Sequence, residues 1–169
     1  MKPQDLLLLL KILSMNGNSW KQKTMAEALS MSQSEISESI TRLKYSGLLD
    51  PQGKKVMKLS LLEFLQYGIR YVFPQKPGPV VRGIPTSHSA YPLREEIHST
   101  EHYVWPYGKG SLRGHGIIPL YSSVPEAALK DEALHELLAL VDGIRVGKAR
   151  EREIAVRELK LRFNWKIKL

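Results

Sequence analysis

The chain has 169 residues, 43% of them hydrophobic and 25% charged, with no cysteine, a net charge of +8 and an isoelectric point near 9.7. This is the composition of a globular chain rather than a disordered one, and the lack of thiols excludes disulfides, zinc ribbons and cysteine nucleophiles. The basic balance favours a polyanionic partner, whether nucleic acid, a membrane surface or an acidic protein.

The apolar run Leu6 to Leu10 is far short of the roughly 20 residues that a membrane span needs. It follows Met1-Lys2-Pro3-Gln4-Asp5, one lysine and an acid rather than a basic leader, and passes into Lys11 without a small-residue cleavage site, so it does not read as a signal peptide. A soluble cytoplasmic protein with no membrane partner and no cofactor is expected.

Three textures follow one another along the chain. Residues 1 to about 72 have helical periodicity, and residues 1–60 hold nine Lys and Arg against five Asp and Glu, half of the net charge. Residues 73 to about 119 are broken by Pro74, Pro77, Pro79, Pro85, Pro92, Pro106 and Pro119, which force extended or turning backbone. Apolar residues from Val72 to Trp105 argue for a structured, loop-rich segment rather than a tether. Residues 120 to 169 return to a helical pattern. The expected fold is α+β and mainly α: an N-terminal winged helix-turn-helix over 1–72, then a loop-rich middle and helical C-terminal region over 73–169.

A first helix is predicted from Pro3 to Met15, with Leu6, Leu9, Leu10 and Leu13 as its stripe and Asn16-Gly17-Asn18 as its stop. Thr24 with Glu27, and Ser32 with Glu35, have the capping-box spacing, so second and third helices are predicted over Thr24 to Leu29 and from Ser32 to Tyr45. Ile36, Ile40 and Leu43 form the inner face of the third helix, and Gly47 stands where a left-handed cap belongs. Leu48-Leu49-Asp50 reads as a strand, Pro51-Gln52-Gly53 as a turn and Lys54 to Leu59 as a returning strand. Val56 and Leu59 are three apart, so both face inward only if that strand is bulged.

The outer face of the third helix offers Gln33, Ser34 and Ser37 near its start, short polar groups suited to base edges in a major groove. Arg42, Lys44, Lys54 and Lys55 are placed to meet phosphates. Glu38 fits less well, either accepting from a cytosine amino group or lying away from the DNA. A capped three-helix unit with a solvated polar face also suits a protein-interaction domain.

The stretch from Ala28 to Leu49, ALSMSQSEISESITRLKYSGLL, resembles the winged-helix transcription regulators of the MarR and Lrp kind. A recognition helix opens on serine and glutamine, and an Arg-Leu pair precedes a Gly-Leu-Leu strand entry. The resemblance covers about sixty residues and implies sequence-specific repression or activation of double-stranded DNA, usually as a homodimer. It assigns Gln33, Ser34, Ser37 and Thr41 to base reading and Lys54 and Lys55 to the wing. This wing is shorter than the family's, and dimer contacts are expected from residues after 60. The run Arg70-Tyr71-Val72-Phe73-Pro74 into a Pro/Gly segment is similar to regulators that accompany nucleotidyltransferase-like toxins. That similarity implies the alternative of an antitoxin or adaptor whose C-terminal half binds a partner protein, with autoregulatory DNA binding.

Other spellings carry less. His98-Ser99-Thr100-Glu101-His102 has the H-x-x-E-H order of inverted zinc proteases, which would need a helix to bring both histidines to one face. Gly108-Lys109-Gly110-Ser111 lacks the spacing of a phosphate-binding loop and reads as a tight turn between strands. Pro125 to Val141, capped by Ser123 and interrupted at Gly143, and Lys148 to Phe163 read as helices. The second is laced with Arg150, Arg152, Arg157, Lys160 and Arg162 among acids. It is a solvated face, or else a second phosphate contact or a docking helix for an acidic partner.

Overall fold

The computed structural model describes residues 1–163 of the chain. In chain order the elements are α1 (Pro3–Ser14), α2 (Gln22–Leu29), α3 (Gln33–Tyr45), α4 (Lys58–Tyr67), α5 (Ile69–Val72), β1 (Val80–Pro85), β2 (Tyr103–Pro106), β3 (Leu112–Gly116), α6 (Val124–Lys130), α7 (Glu132–Val146) and α8 (Ala149–Arg162). The protein is mixed α/β and mainly helical. Its described residues form two compact units, 1–61 with 119–135 and 62–118 with 136–163. The units are therefore not the contiguous stretches 1–72 and 73–169, because a later segment of chain joins the first helices.

In the first unit, α1 is buried over the whole run Leu6 to Leu10. The predicted stripe accounted for only part of it, since a helix apolar on all sides needs cover on more than one side. Residues 119–135 belong to the same unit and are tied to α1 by Asp131, which accepts hydrogen bonds at 2.7 Å from both Lys11 Nζ and Ser14 Oγ. Asp131 also accepts from the backbone N–H of Leu134 at 3.0 Å and so caps the start of α7.

Several local expectations are corrected. Helix α2 begins at Gln22 with Lys21 as its cap, so Thr24 is an interior residue and the Thr24–Glu27 box does not form. Ser123 makes no side-chain cap at α6. The helical run expected over Pro125 to Val141 breaks at Asp131, and Gly143 lies inside α7 rather than ending it. A Cβ there would come within 2.7 Å of the Leu93 side chain, so the glycine serves packing. The returning strand expected from Lys54 to Leu59 is reduced to one antiparallel bridge, Leu49 to Val56. Lys58 already opens α4, whose buried Leu61, Leu62 and Leu65 recur at helical spacing while Leu59 is exposed. Helical burial competes for those residues and wins, which removes the mismatch between Val56 and Leu59.

In the second unit, the Pro- and Gly-rich middle folds into three strands closed on themselves. β1 runs antiparallel to both β2 and β3, and the ring closes through parallel pairing of Tyr103 with His115 and Val104 with Gly116. Val, Tyr and Trp suit these strands, but so tight a ring requires positions without side chains. A Cβ on Gly83 would lie 2.0 Å from the Trp105 carbonyl oxygen. His98 and His102 lie outside any helix, so their four-residue spacing does not bring them to a shared face. No group of residues able to hold a metal ion is found among the described residues, and no described helix is long and apolar enough to cross a membrane.

A buried carboxylate organises this unit. Asp142 of α7 accepts at 2.7 Å from Thr86 Oγ1 and from Trp105 Nε1, and pairs with Arg145 at 2.8 Å. Arg145 donates its Nε–H to the Phe73 carbonyl at 3.0 Å. Asp142 and Arg145 are only 2% and 8% exposed, so removal of one partner leaves an uncompensated buried charge. We predict that Asp142→Ala costs about 3–5 kcal/mol of stability, read by denaturant unfolding. A cost below about 1 kcal/mol would show that the network does not hold the unit.

Candidate nucleic-acid interface

Helix α3 is set by its own sequence. The Ser32 side chain accepts from the Glu35 N–H at 3.1 Å, and the Glu35 carboxylate accepts from the Ser32 N–H at 2.8 Å. This reciprocal box satisfies two donors that the first turn leaves free. Ile36, Ser39 and Leu43 are buried on one side, with Ile40 half-buried beside them. At the other end Gly47 takes a left-handed conformation, φ +77°, and ends the helix as expected.

Gln33, Ser37, Thr41 and Lys44 recur at helical spacing and share the opposite side with Ser34, and all five are exposed. The Thr41 hydroxyl donates to the Ser37 carbonyl at 3.1 Å, leaving its oxygen as an acceptor. Glu38 is exposed on the flank, 3.9 Å from the Arg42 guanidinium. Tyr45 is 96% exposed at the end of the same helix.

Arg42 stands apart from the residues grouped with it by sequence. Its Nε and Nη2 donate to the two carboxylate oxygens of Asp5, each at 2.8 Å. Asp5 is fully buried and also accepts from Ser39 Oγ at 2.6 Å and from the Lys2 N–H at 2.8 Å. This guanidinium therefore fixes the rotation of α3 on α1 and is a positioning group for the exposed face.

Lys54 and Lys55 are exposed at the hairpin after α3. Asp50 builds that turn, its Oδ1 accepting from the Lys55 and Lys54 N–H groups at 2.9 and 2.7 Å. These backbone hydrogen bonds, Lys55 first, hold its carboxyl below the ordinary range. At the bend Gly53 has φ +71°, and a Cβ there would meet Ile40 and Lys44 of α3 at 3.0 and 3.1 Å. The turn thus lies directly on the helix. The two lysines differ in their freedom. Lys54 Nζ lies 3.3 Å from the Trp20 carbonyl and 4.4 Å from the centre of its ring, and Trp20 Nε1 donates to the Lys54 carbonyl at 3.1 Å. Lys55 makes no such side-chain contact among the described residues.

Neither Asp5 nor Trp20 stands out in the sequence. Asp5 reads there as an ordinary first-turn acid, and its partner lies 37 residues away. Trp20 follows a turn and carries no local pattern. Comparison of the chain with protein-family models, curated proteins and solved structures finds no match.

The Asp5 carboxyl responds to opposing influences. Burial pushes its pKa up, but hydrogen bonds from Arg42, the Lys2 N–H and Ser39 outweigh burial and hold it below the usual value. Stability from such a group is fully present above the ordinary carboxylate range and is lost as pH falls through the depressed value. Asp131, lowered by Lys11, the Leu134 N–H and Ser14 against its burial, acts in the same direction. We predict that Asp5→Asn costs about 2–3 kcal/mol at neutral pH, since hydrogen bonds to charged groups carry that much. It should also flatten, without abolishing, the fall in stability towards acid pH. Urea unfolding across a pH series checks both, and an acid limb identical to wild type would rule out the pairing as its source.

Proposed function

We propose that this protein is a transcription regulator that binds double-stranded DNA through a winged-helix type of unit, with α3 in the major groove. The observation that carries the reading is the exposed polar arc of Gln33, Ser34, Ser37 and Thr41. It lies on a helix whose inner side is locked by Asp5 and Arg42 and whose end bears a lysine-tipped hairpin. Short donors and acceptors on a rotationally fixed helix are what base-edge readout requires, and neighbouring cations supply the sequence-independent affinity. The wing in this reading is a minimal hairpin with one bridge.

The roles divide by freedom of the side chain. Gln33, Ser34, Ser37 and Thr41 read bases, Lys44 and Lys55 meet phosphates, and Lys54 contributes charge while packed on Trp20. Arg42 orients α3. Regulators of this type bind as homodimers to two half-sites, so the proposed operator is a near-palindrome and the action is repression in the cytoplasm.

Selection of bound duplexes from a random pool, followed by anisotropy titration over a salt series, tests this. Gln33→Ala or Ser37→Ala should cost about 1–3 kcal/mol at one base position and relax preference there. Lys55→Ala should weaken binding to all sequences and reduce the salt slope by about 1. The effect of Lys54→Ala should fall more on thermal stability than on the slope, because its amine is held on Trp20. A pool that yields no enriched sequence at low salt would defeat the proposal.

A further inference from the structure

The small barrel of the second unit carries a charge arrangement that its own fold does not balance. Arg82 of β1 stands directly opposite Arg113 of β3. The Arg82 carbonyl accepts from the Tyr107 N–H on the β2 side. Backbone groups of one strand residue point to the same side, so Arg82 and Arg113 form a non-hydrogen-bonded pair, the closer of the two cross-strand geometries. Like charges directly opposite are destabilising. Both side chains are exposed, and neither has an ion-pair partner among the described residues. The stretches that contain β1 and β3, residues 64–94 and 102–118, hold no Asp or Glu. The Arg82 guanidinium reaches the Gly110 carbonyl at 3.4 Å, at the turn that carries exposed Lys109. Among the described residues the second unit holds thirteen Lys and Arg against nine Asp and Glu, the first only ten against eight.

We propose that Arg82, Arg113 and Lys109 form a second polyanion-binding surface, and that its ligand is the phosphodiester backbone of DNA. Guanidinium forks match phosphate oxygens bidentately. Two of them side by side on a rigid pair of strands suit an anion that repeats along a chain. The identity of the ligand rests on the reading of the protein as DNA-binding, while the surface itself does not depend on α3. It contributes affinity without base preference, as a backbone contact does.

The test uses the full chain and a random-sequence duplex, titrated by anisotropy over a salt series. R82Q/R113Q should weaken binding about tenfold at low salt and reduce the salt slope by about 2, as expected for two lost phosphate contacts. R82K/R113K, which keeps both charges, should retain the slope. Arg113→Glu turns the repulsive cross-strand pair into an attractive one, so it should raise the melting temperature while weakening DNA binding. A merely structural arginine would not move the two readouts in opposite directions. An unchanged slope in R82Q/R113Q overturns the proposal. So does loss of binding to polyglutamate with DNA binding intact, which would assign the face to an acidic protein. If Gln33 and Ser37 variants leave base preference unaltered while the Arg82/Arg113 slope effect persists, the reading of α3 fails and this surface stands. The reverse pattern overturns the surface and leaves α3 standing.

Discussion

The bidentate pair between Asp5 and Arg42 is the constraint on which the candidate interface depends. A fully buried carboxylate costs several kcal/mol in desolvation unless its oxygens are satisfied. Here both are, by the guanidinium, by Ser39 and by the Lys2 backbone. Because Arg42 and Ser39 both lie on α3, satisfying Asp5 leaves that helix one rotation about its axis. The side turned away from Asp5 is then fixed as the side that carries Gln33, Ser37 and Thr41. Apolar packing of Ile36 and Leu43 would tolerate small rotations that a directed ion pair does not.

The second unit uses the same device for a different purpose. Asp142 draws together Thr86, Trp105 and Arg145, and so joins α7 to a ring of three strands too small to enclose a core of its own. Polar groups at that depth specify one arrangement because any alternative leaves one of them unpaired. The ring in turn sets Arg82 opposite Arg113, an arrangement that only strand register could produce.

The two proposed surfaces differ in kind. On α3, neutral polar groups dominate and the cations sit at the margins, as suits discrimination between bases. On the barrel, the proposed contacts are all cations, Arg82, Lys109 and Arg113, as suits affinity without discrimination. Net charge alone pointed to residues 1–60, where half of it lies along the chain. Once residues 119–135 bring their acids into the first unit, the larger share of the charge belongs to the second.

What the sequence determined by itself is what depends on residues a turn apart. The Ser32–Glu35 box, the inner face of Ile36 and Leu43, the cap at Gly47 and the exposed arc from Gln33 to Thr41 are all written within one helix. The tight turn at Gly108 to Ser111 is legible for the same reason. Local pattern misled where two local options competed, as at Thr24, which has capping spacing but lies inside α2, and at Lys54 to Leu59, where the start of α4 displaced a strand. Only the tertiary structure decided that Arg42 belongs to Asp5 and Lys54 to Trp20, that Pro- and Gly-rich chain closes into a barrel, and that Arg82 faces Arg113. Each of these joins residues about thirty or more positions apart, or needs the whole ring to close, and no spacing rule reaches across that distance. Chain entropy opposes such pairings until the rest of the unit has brought the partners together.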